Sequence, residues 1–545
     1  MNDFAYPNMN LTGREAHPSG HARPWLDTAA VWILWLIPVV LSIFVRPVFP
    51  VDETRYLSVA WNMWQEGQFL VPMLNDAYYT HKPPLLFWLI HAGWSVFGVN
   101  DWWPRLIQPT AAIGSLLLLR GIAARLWPGR RSVRSLAPAI FAAGWFATLY
   151  APAVMFDYLV VFSALLATYG LAGRPVRWPL VALGLALGLL SKGPVILVYT
   201  LPALLAAPWW TSKPEDGWRS WYLRATAVLA LGAVPILAWL LMAWSVAGDA
   251  FLSEILWRQT ADRISGDMGH GRPIWWYLPL LPLLGLPWIF WPPLWRAVRG
   301  IRVDRGLRLS FGSALVGFFI LSLVGGKQAH YLLPLLALAT PGIAMLLDSG
   351  VRIRRLDGLP LALILGVFGL AMMIPGLGVG PADWPEWVAT ISPGWGALLL
   401  MVAVALVWWR PKSGSEAAVF QLAATSLLAL AVICGPVVAA RKSHDLGEIA
   451  SMVSDFQSRE RPVAWLGHYQ GQFNYTGRLQ RPVFELGFEE ARDWLAEHPD
   501  AIVATRTKHL AGAVPEPLFM QPYRSGSLAL YRASDLVSDR TYFEP

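Results

Sequence analysis

Cysteine is almost absent: Cys434 stands alone in 545 residues. A disulfide framework and a thiolate metal site are thereby excluded. Charge is scarce too, since Asp, Glu, Lys and Arg make up 14% of the chain while apolar residues make up 55%. With a mean hydropathy of +0.44, that balance is too apolar for a water-soluble protein. There is no Walker loop, no GxGxxG between a strand and a helix, and no internal repeat. Nucleotide-binding machinery and repeat architectures are therefore not indicated.

What is present is a series of apolar blocks of membrane-span length. A spanning helix needs roughly 17–25 mostly apolar residues. Candidate spans begin near residues 28, 103, 133, 154, 176, 192, 222, 275, 308, 331, 358, 394 and 417. They amount to about thirteen, with 174–208 open to reading as one long broken segment. The 31 Trp and 43 Pro suit interfacial belts and interrupted membrane helices. The polar stretch Met1 to Pro24 precedes a first block without a convincing cleavage site, which reads as a retained signal-anchor.

The net charge of +8 does not point to nucleic acid, because the excess Arg lies in short loops between spans. Arg125 to Arg134, Arg174 and Arg177, Lys213 to Arg224, Arg296 to Arg308, Arg352 to Arg355, and Arg410 with Lys412 occupy alternate loops. The positive-inside rule makes these loops and the N-terminus cytoplasmic, and an odd number of spans then puts the C-terminus outside. The predicted domains are a membrane part over residues 1–439 and a water-soluble α/β part over 440–545. Within the first outer loop, 49–102, helical spacing over Glu53 to Trp64 and Leu85 to Phe97 predicts helices lying in the interface. In the last hundred residues, helices over Leu446 to Phe456 and Phe488 to Glu497 alternate with strands at Pro462 to Leu466, Ala501 to Thr505 and Ser527 to Tyr531.

The same alternation gathers Asp52, Arg55, Lys82, Asp157, Lys192, Arg263 and Lys327 at the outer face. Each has a structural alternative. Asp52 could cap a helix with Glu53 on its dipole, and Lys82 could be a snorkelling anchor behind Pro83-Pro84. His81 beside it could ligate a metal, and Lys327, His330 and Tyr331 place cations and a phenol at one depth before a span. A carboxylate at a span end, such as Asp157, has little reason to exist without a cation. Taken together, several cations and two carboxylates suit a phosphate on a lipid carrier, with the cations neutralising a leaving group and a carboxylate serving the acceptor.

Asp52-Glu53-x-x-Tyr56, Asn75 with Lys82-Pro83-Pro84-Leu85, Asp157, Lys192-Gly193-Pro194 and Tyr331-Leu332-Leu333-Pro334 together resemble the GT-C membrane glycosyltransferases. The branch is that of the ArnT-like lipid A aminoarabinose transferases and the protein O-mannosyltransferases. The resemblance covers roughly the first 335 residues in order; the C-terminal third is similar only in layout. It implies a polytopic α-helical membrane protein of GT-C fold, about 13 transmembrane helices and a periplasmic α/β domain in a bacterial inner membrane. It further implies a polyprenyl (undecaprenyl) phosphate sugar donor and inverting transfer, with aminoarabinose to lipid A as the first substrate pair. An O-glycosyltransferase acting on protein or another envelope glycan is the second reading, and a lipid or polysaccharide transporter is the non-enzyme alternative. Carried over position by position, Asp52 is the catalytic carboxylate with Asp157 as its partner, and Glu53 is grouped with them as catalytic. Lys82, Arg263, Tyr331, Arg55 and Lys192 line the donor phosphate, and His81, Lys327 and His330 are left as substrate or metal contacts. Membrane lipids are expected partners and nucleic acid is not. No cofactor is assigned, and a divalent metal is left open. Two positions depart from the pattern: His81 stands where the family often has Glu, and Trp257 to Asp262 lacks the His usual before Arg263 in aminoarabinose transferases.

Overall fold

The computed structural model describes residues 24–255, 271–300, 302–381, 384–511 and 515–537. The first helix, α1 (Pro24–Val45), is an apolar run that stops at Arg46-Pro47, where a proline bars further helix. Two helices then form inside the long loop, α2 (Asp52–Gln65) and α3 (Leu85–Phe97), joined by a small hairpin of β1 (Met73–Leu74) and β2 (Ala77–Tyr78). Both helices lie where their apolar spacing places them. After them come α4 (Trp102–Leu126), α5 (Arg131–Ala142), α6 (Trp145–Tyr150), α7 (Asp157–Ala172), α8 (Trp178–Lys192) and α9 (Ile196–Leu205).

The segment left open at 174–208 is a helical hairpin. Gly193 adopts φ +70°, a conformation glycine reaches without strain, and a single 3-10 turn over Gly193–Val195 separates α8 from α9. The chain reverses there: Trp178 at the start of α8 and Trp210 just past α9 both pack on Trp221, with ring centroids 5.0 and 6.0 Å apart respectively.

By length and composition, seven helical stretches among the described residues are long and apolar enough to cross a membrane, one of them Trp178–Leu205, which is the α8–α9 pair folded back at Gly193. Shorter apolar helices, such as α7 and Pro393–Trp408, add to these, but length and composition alone do not bring the described residues to the expected count of about thirteen. The predicted span near 275 is not a regular helix. It is broken into the short turns Ile274–Leu280, Leu281–Leu284 and Trp288–Phe290 ahead of the helix Pro292–Gly300, because Pro279, Pro282 and Pro287 interrupt the run.

The basic loops meet at one end of the bundle. Arg125 donates to the Pro175 carbonyl at 3.0 Å, Arg174 to the Ser212 carbonyl at 2.7 Å and Arg308 to the Trp209 carbonyl at 3.0 Å. Arg296 forms a two-pronged pair with Asp357 at 2.8 and 2.5 Å. Helix α7 runs from Asp157 to Ala172 at that basic end, which sets Asp157 about 24 Å away at the opposite end. The sequence alternation therefore describes two real faces.

Residues 446–536 carry hydrophobic clusters of their own on either side of a five-stranded sheet. Its strands are β3 (Val463–Leu466), β4 (Phe484–Leu486), β5 (Ile502–Arg506), β6 (Phe519–Tyr523) and β7 (Gly526–Arg532), in the order β4-β3-β5-β7-β6. Strands β4, β3 and β5 are parallel, while β7 and β6 are antiparallel additions. The sequence pattern anticipates β3, β5 and β7 but not β4 or β6. The former has three residues, and the latter carries Pro522, which a strand tolerates only at an edge.

Candidate functional site

The end of the bundle opposite the basic loops is assembled on a buried carboxylate. Glu53, 4% exposed, receives both prongs of Arg46 at 2.5 and 2.7 Å. It also accepts the backbone N–H groups of Phe49 at 2.8 Å and Val154 at 2.6 Å. Arg46 in turn donates to the Pro152 carbonyl at 2.6 Å. Burial alone would raise the Glu53 pKa, but the Arg46 charge and these hydrogen bonds outweigh it and hold the carboxyl below its usual range. Glu53 thus clamps the start of α2 to the end of α1 and to the loop before α7. Its acceptor capacity is spent, which is the geometry of a structural pair.

Its neighbour Asp52 faces the other way. The side chain is 53% exposed and pairs with Arg55 one turn along. The Arg55 guanidinium also donates to the Gln470 side-chain carbonyl at 2.6 Å and lies 5.4 Å from the Tyr56 ring. Lys82 approaches the same ring, with Nζ 6.0 Å from its centroid. Tyr56 is packed edge-on against Phe156 at 5.0 Å. Burial, with the nearby Tyr79 and Asp52, pushes its phenol well above the usual range, so it stays protonated.

Deeper lies a second charged set. Asp157, 2% exposed, takes the Lys192 ammonium at 2.6 Å and the Tyr150 hydroxyl at 3.3 Å. Asp157 is the first residue of α7 and Lys192 the last of α8, so each sits at the helix end whose dipole favours its charge. The ammonium also lies 4.5 Å from the Tyr331 ring centroid, a cation–π distance. The Tyr331 backbone is fixed by the Tyr199 hydroxyl, which donates to its carbonyl at 2.8 Å. His330 Nε2 is 4.0 Å from the Asp157 carboxylate, and its ring stacks on Tyr150 with centroids 5.6 Å apart. Phe156, the residue before Asp157, packs on the Tyr56 ring that Arg55 and Lys82 approach. The two charged sets therefore border one another.

Of the residues singled out from sequence, Asp52, Arg55, Lys82, Asp157, Lys192, His330 and Tyr331 come together here. Glu53 turns away into its Arg46 clamp. Lys327 is 2% exposed and donates to the backbone carbonyls of Val324 and, at 2.9 Å, Arg272, holding two loops together. His81 packs against Tyr79 with ring centroids 5.2 Å apart. Arg263 lies outside the described residues. Among the described residues, no three His, Cys, Asp or Glu side chains converge as a metal-binding group. Three residues the sequence reading leaves out bear directly on the site: Arg46, Tyr150 and Gln470. Arg46 carried a signal, being a cation at a span end beside two carboxylates; Tyr150 and Gln470 carried none.

The family described as dolichyl-phosphate-mannose-protein mannosyltransferase matches residues 81–239. Among curated proteins, the arabinosyl transferase 2 of Pseudomonas fluorescens (strain Pf0-1), named for undecaprenyl phosphate-alpha-4-amino-4-deoxy-L-arabinose, is 28% identical over 63% of this chain and 64% of its own length. The corresponding transferase of Erwinia tasmaniensis is 26% identical over 74% of each chain, and that of Pseudomonas paraeruginosa is 30% identical over 57% of each. The match thus spans less than two thirds of the first of these relatives. The crystal structure of ArnT from Cupriavidus metallidurans bound to undecaprenyl phosphate superposes with a TM-score of 0.71 at 16% identity, covering 93% of this chain and 98% of that one. The fold is ArnT-like. The GT-C architecture expected from the motifs is thereby established over nearly the whole chain, including its C-terminal sheet domain, and the apolar helices make it a multi-pass membrane protein.

Proposed function

We propose that the protein is an inverting glycosyltransferase that moves a sugar from polyprenyl phosphate to an acceptor at the outer face of a bacterial inner membrane. The membrane part over 1–439 carries the site, the N-terminus is cytoplasmic, and the 440–545 domain is periplasmic. The basic loops gathered at one end support that orientation. Aminoarabinose transfer to a lipid A phosphate is the favoured substrate pair, since the similar curated proteins are named for that donor.

The observation that carries this reading is the division of labour between two carboxylates. Asp157 is buried and satisfied by Lys192, whereas Asp52 is half exposed and paired with Arg55, and Arg55 and Lys82 both approach the Tyr56 ring. In the proposed reaction an acceptor oxygen bonds to the anomeric carbon as the bond from that carbon to the phosphate oxygen breaks. The lipid phosphate leaves with the electron pair, and Lys82, Arg55, Lys192, Arg263 and the Tyr331 hydroxyl receive its charge. A hydroxyl acceptor passes its proton to Asp52; a phosphate acceptor is already ionised and is only oriented by it. Asp157 holds Lys192 in place. An O-glycosyltransferase would share all of this and differ in acceptor.

The test is transfer by purified wild type and Asp52→Asn, using polyprenyl-phosphate-linked aminoarabinose and other sugars with lipid A as acceptor. Transfer by wild type and its loss in the variant supports the reading. Full transfer by Asp52→Asn rejects the role of Asp52, and transfer only to peptide or glycan moves the assignment to the O-glycosyltransferase.

A further inference from the structure

We infer that Gln470, in the C-terminal domain, is a positioning residue that fixes the Arg55 guanidinium and, through it, Asp52. The inference rests on the proposed transferase reading. The loop after β3 reads Gly467-His468-Tyr469-Gln470-Gly471-Gln472, and it reaches down onto α2. Gln470 Oε1 accepts from Arg55 Nη1 at 2.6 Å, while Arg55 Nη2 pairs with Asp52. One guanidinium is thus held from two sides, by the membrane part and by the soluble domain. A planar fork held at two points keeps its direction better than one paired only to a half-exposed carboxylate.

The loop is itself fixed, so Gln470 has a defined place to act from. The Ser58 hydroxyl donates to the Gly471 carbonyl at 2.6 Å and accepts the Tyr475 backbone N–H at 3.0 Å. Gly471 has φ +73°, and a Cβ there would stand 2.5 Å from a Leu74 methyl and 3.1 Å from Ser58 Cβ. Only glycine lets the loop come this close to α2. Tyr475 stacks on Trp94 with planes 2° apart, and Asn75 exchanges hydrogen bonds with Val483 at 2.7 and 2.8 Å. Gln470 also holds its own loop, its N–H donating to the Gln472 side chain at 2.9 Å. The side-chain oxygen, by contrast, accepts from Arg55. An uncharged acceptor there orients the guanidinium without competing with Asp52 for its charge. The soluble domain accordingly completes the site rather than standing apart from it.

The test is a double-mutant cycle on sugar transfer with wild type, Gln470→Leu, Arg55→Ala and the double variant, all full-length and in lipid. A residue acting through another loses its effect when that other is gone. Gln470→Leu is expected to lower kcat by about 10–100-fold with the acceptor KM unchanged, the scale of a misplaced reacting group. In the Arg55→Ala background the same change is expected to cost no more than about twofold. If Gln470→Leu fails to fold, Gln470→Asn, one methylene too short to reach Arg55, takes its place in the cycle. Equal losses in both backgrounds, or no loss in the wild-type background, would overturn the inference alone. Wild type that transfers from no polyprenyl-phosphate sugar would overturn the transferase reading and this inference with it.

Discussion

Adjacent carboxylates with opposite duties give the sharpest expectation. Glu53→Gln preserves shape but removes the charge facing Arg46, and it places an amide NH2 against donors. The carboxylate now accepts two guanidinium prongs and two backbone N–H groups, all between 2.5 and 2.8 Å. The amide cannot accept at both ends. Breaking a buried pair by neutralising one partner costs about 3–5 kcal/mol. Asp52→Asn disturbs only a half-exposed i,i+3 pair, worth at most about 1 kcal/mol. The variants should therefore separate: Glu53→Gln melts well below wild type while keeping transfer at low temperature, and Asp52→Asn melts like wild type without transferring sugar. Thermal melting in detergent beside a transfer assay reads both. The Glu53 contribution also has a pH signature. Its folded pKa is depressed, so the stabilisation is fully present above its ordinary value near 4.5 and is lost as pH falls through the folded value. The gap between wild type and Glu53→Gln should close on acidification below that point. A Glu53→Gln variant that melts like wild type yet is inactive would refute the assignment and make Glu53 the reacting carboxylate.

Two further outcomes follow from the deeper charges. Asp157→Asn leaves the Lys192 ammonium buried without its counter-charge and should cost about 3–5 kcal/mol; adding Lys192→Met should recover part of the loss in the same melting assay. Tyr331→Phe keeps the ring 4.5 Å from Lys192 but removes the hydroxyl. It should raise the donor KM up to about tenfold, the worth of one hydrogen bond, at unchanged melting temperature, and an unaltered KM would remove Tyr331 from the phosphate site.

Much of the fold was legible because it is written in long-range charge and hydropathy patterns. The alternation of basic loops requires no knowledge of packing, and those loops do converge at one end. Helices α2 and α3 followed from apolar spacing within a loop too long to be a plain connection. The stretch near 275 misled because its hydropathy suits a span while its prolines forbid a continuous helix. Strand β6 was hidden for a related reason, since Pro522 argues against strand unless the edge position is known. The Asp157–Lys192 pair was legible as two residues at one face, but not as partners. Their contact depends on α8 running back along α7, which brings the last residue of one to the first residue of the other.

What pattern could not separate was Asp52 from Glu53. On a helix, consecutive residues point about 100° apart, so one of two neighbouring carboxylates faces the protein whenever the other faces the cavity. Which is which depends on where a cation waits. Here Arg46, at the end of the preceding helix, takes Glu53, and that leaves Asp52 to Arg55. The same reasoning explains why Gln470 was invisible. It lies 415 positions from Arg55 along the chain, and an uncharged amide leaves no mark on a charge pattern. Its place is set by the close approach that Gly471 permits. The site is thus divided in kind: its charges are readable from the membrane part alone, while the polar contact to one of them comes from the C-terminal sheet domain, whose sequence marks its helices and three of its strands but not this contact.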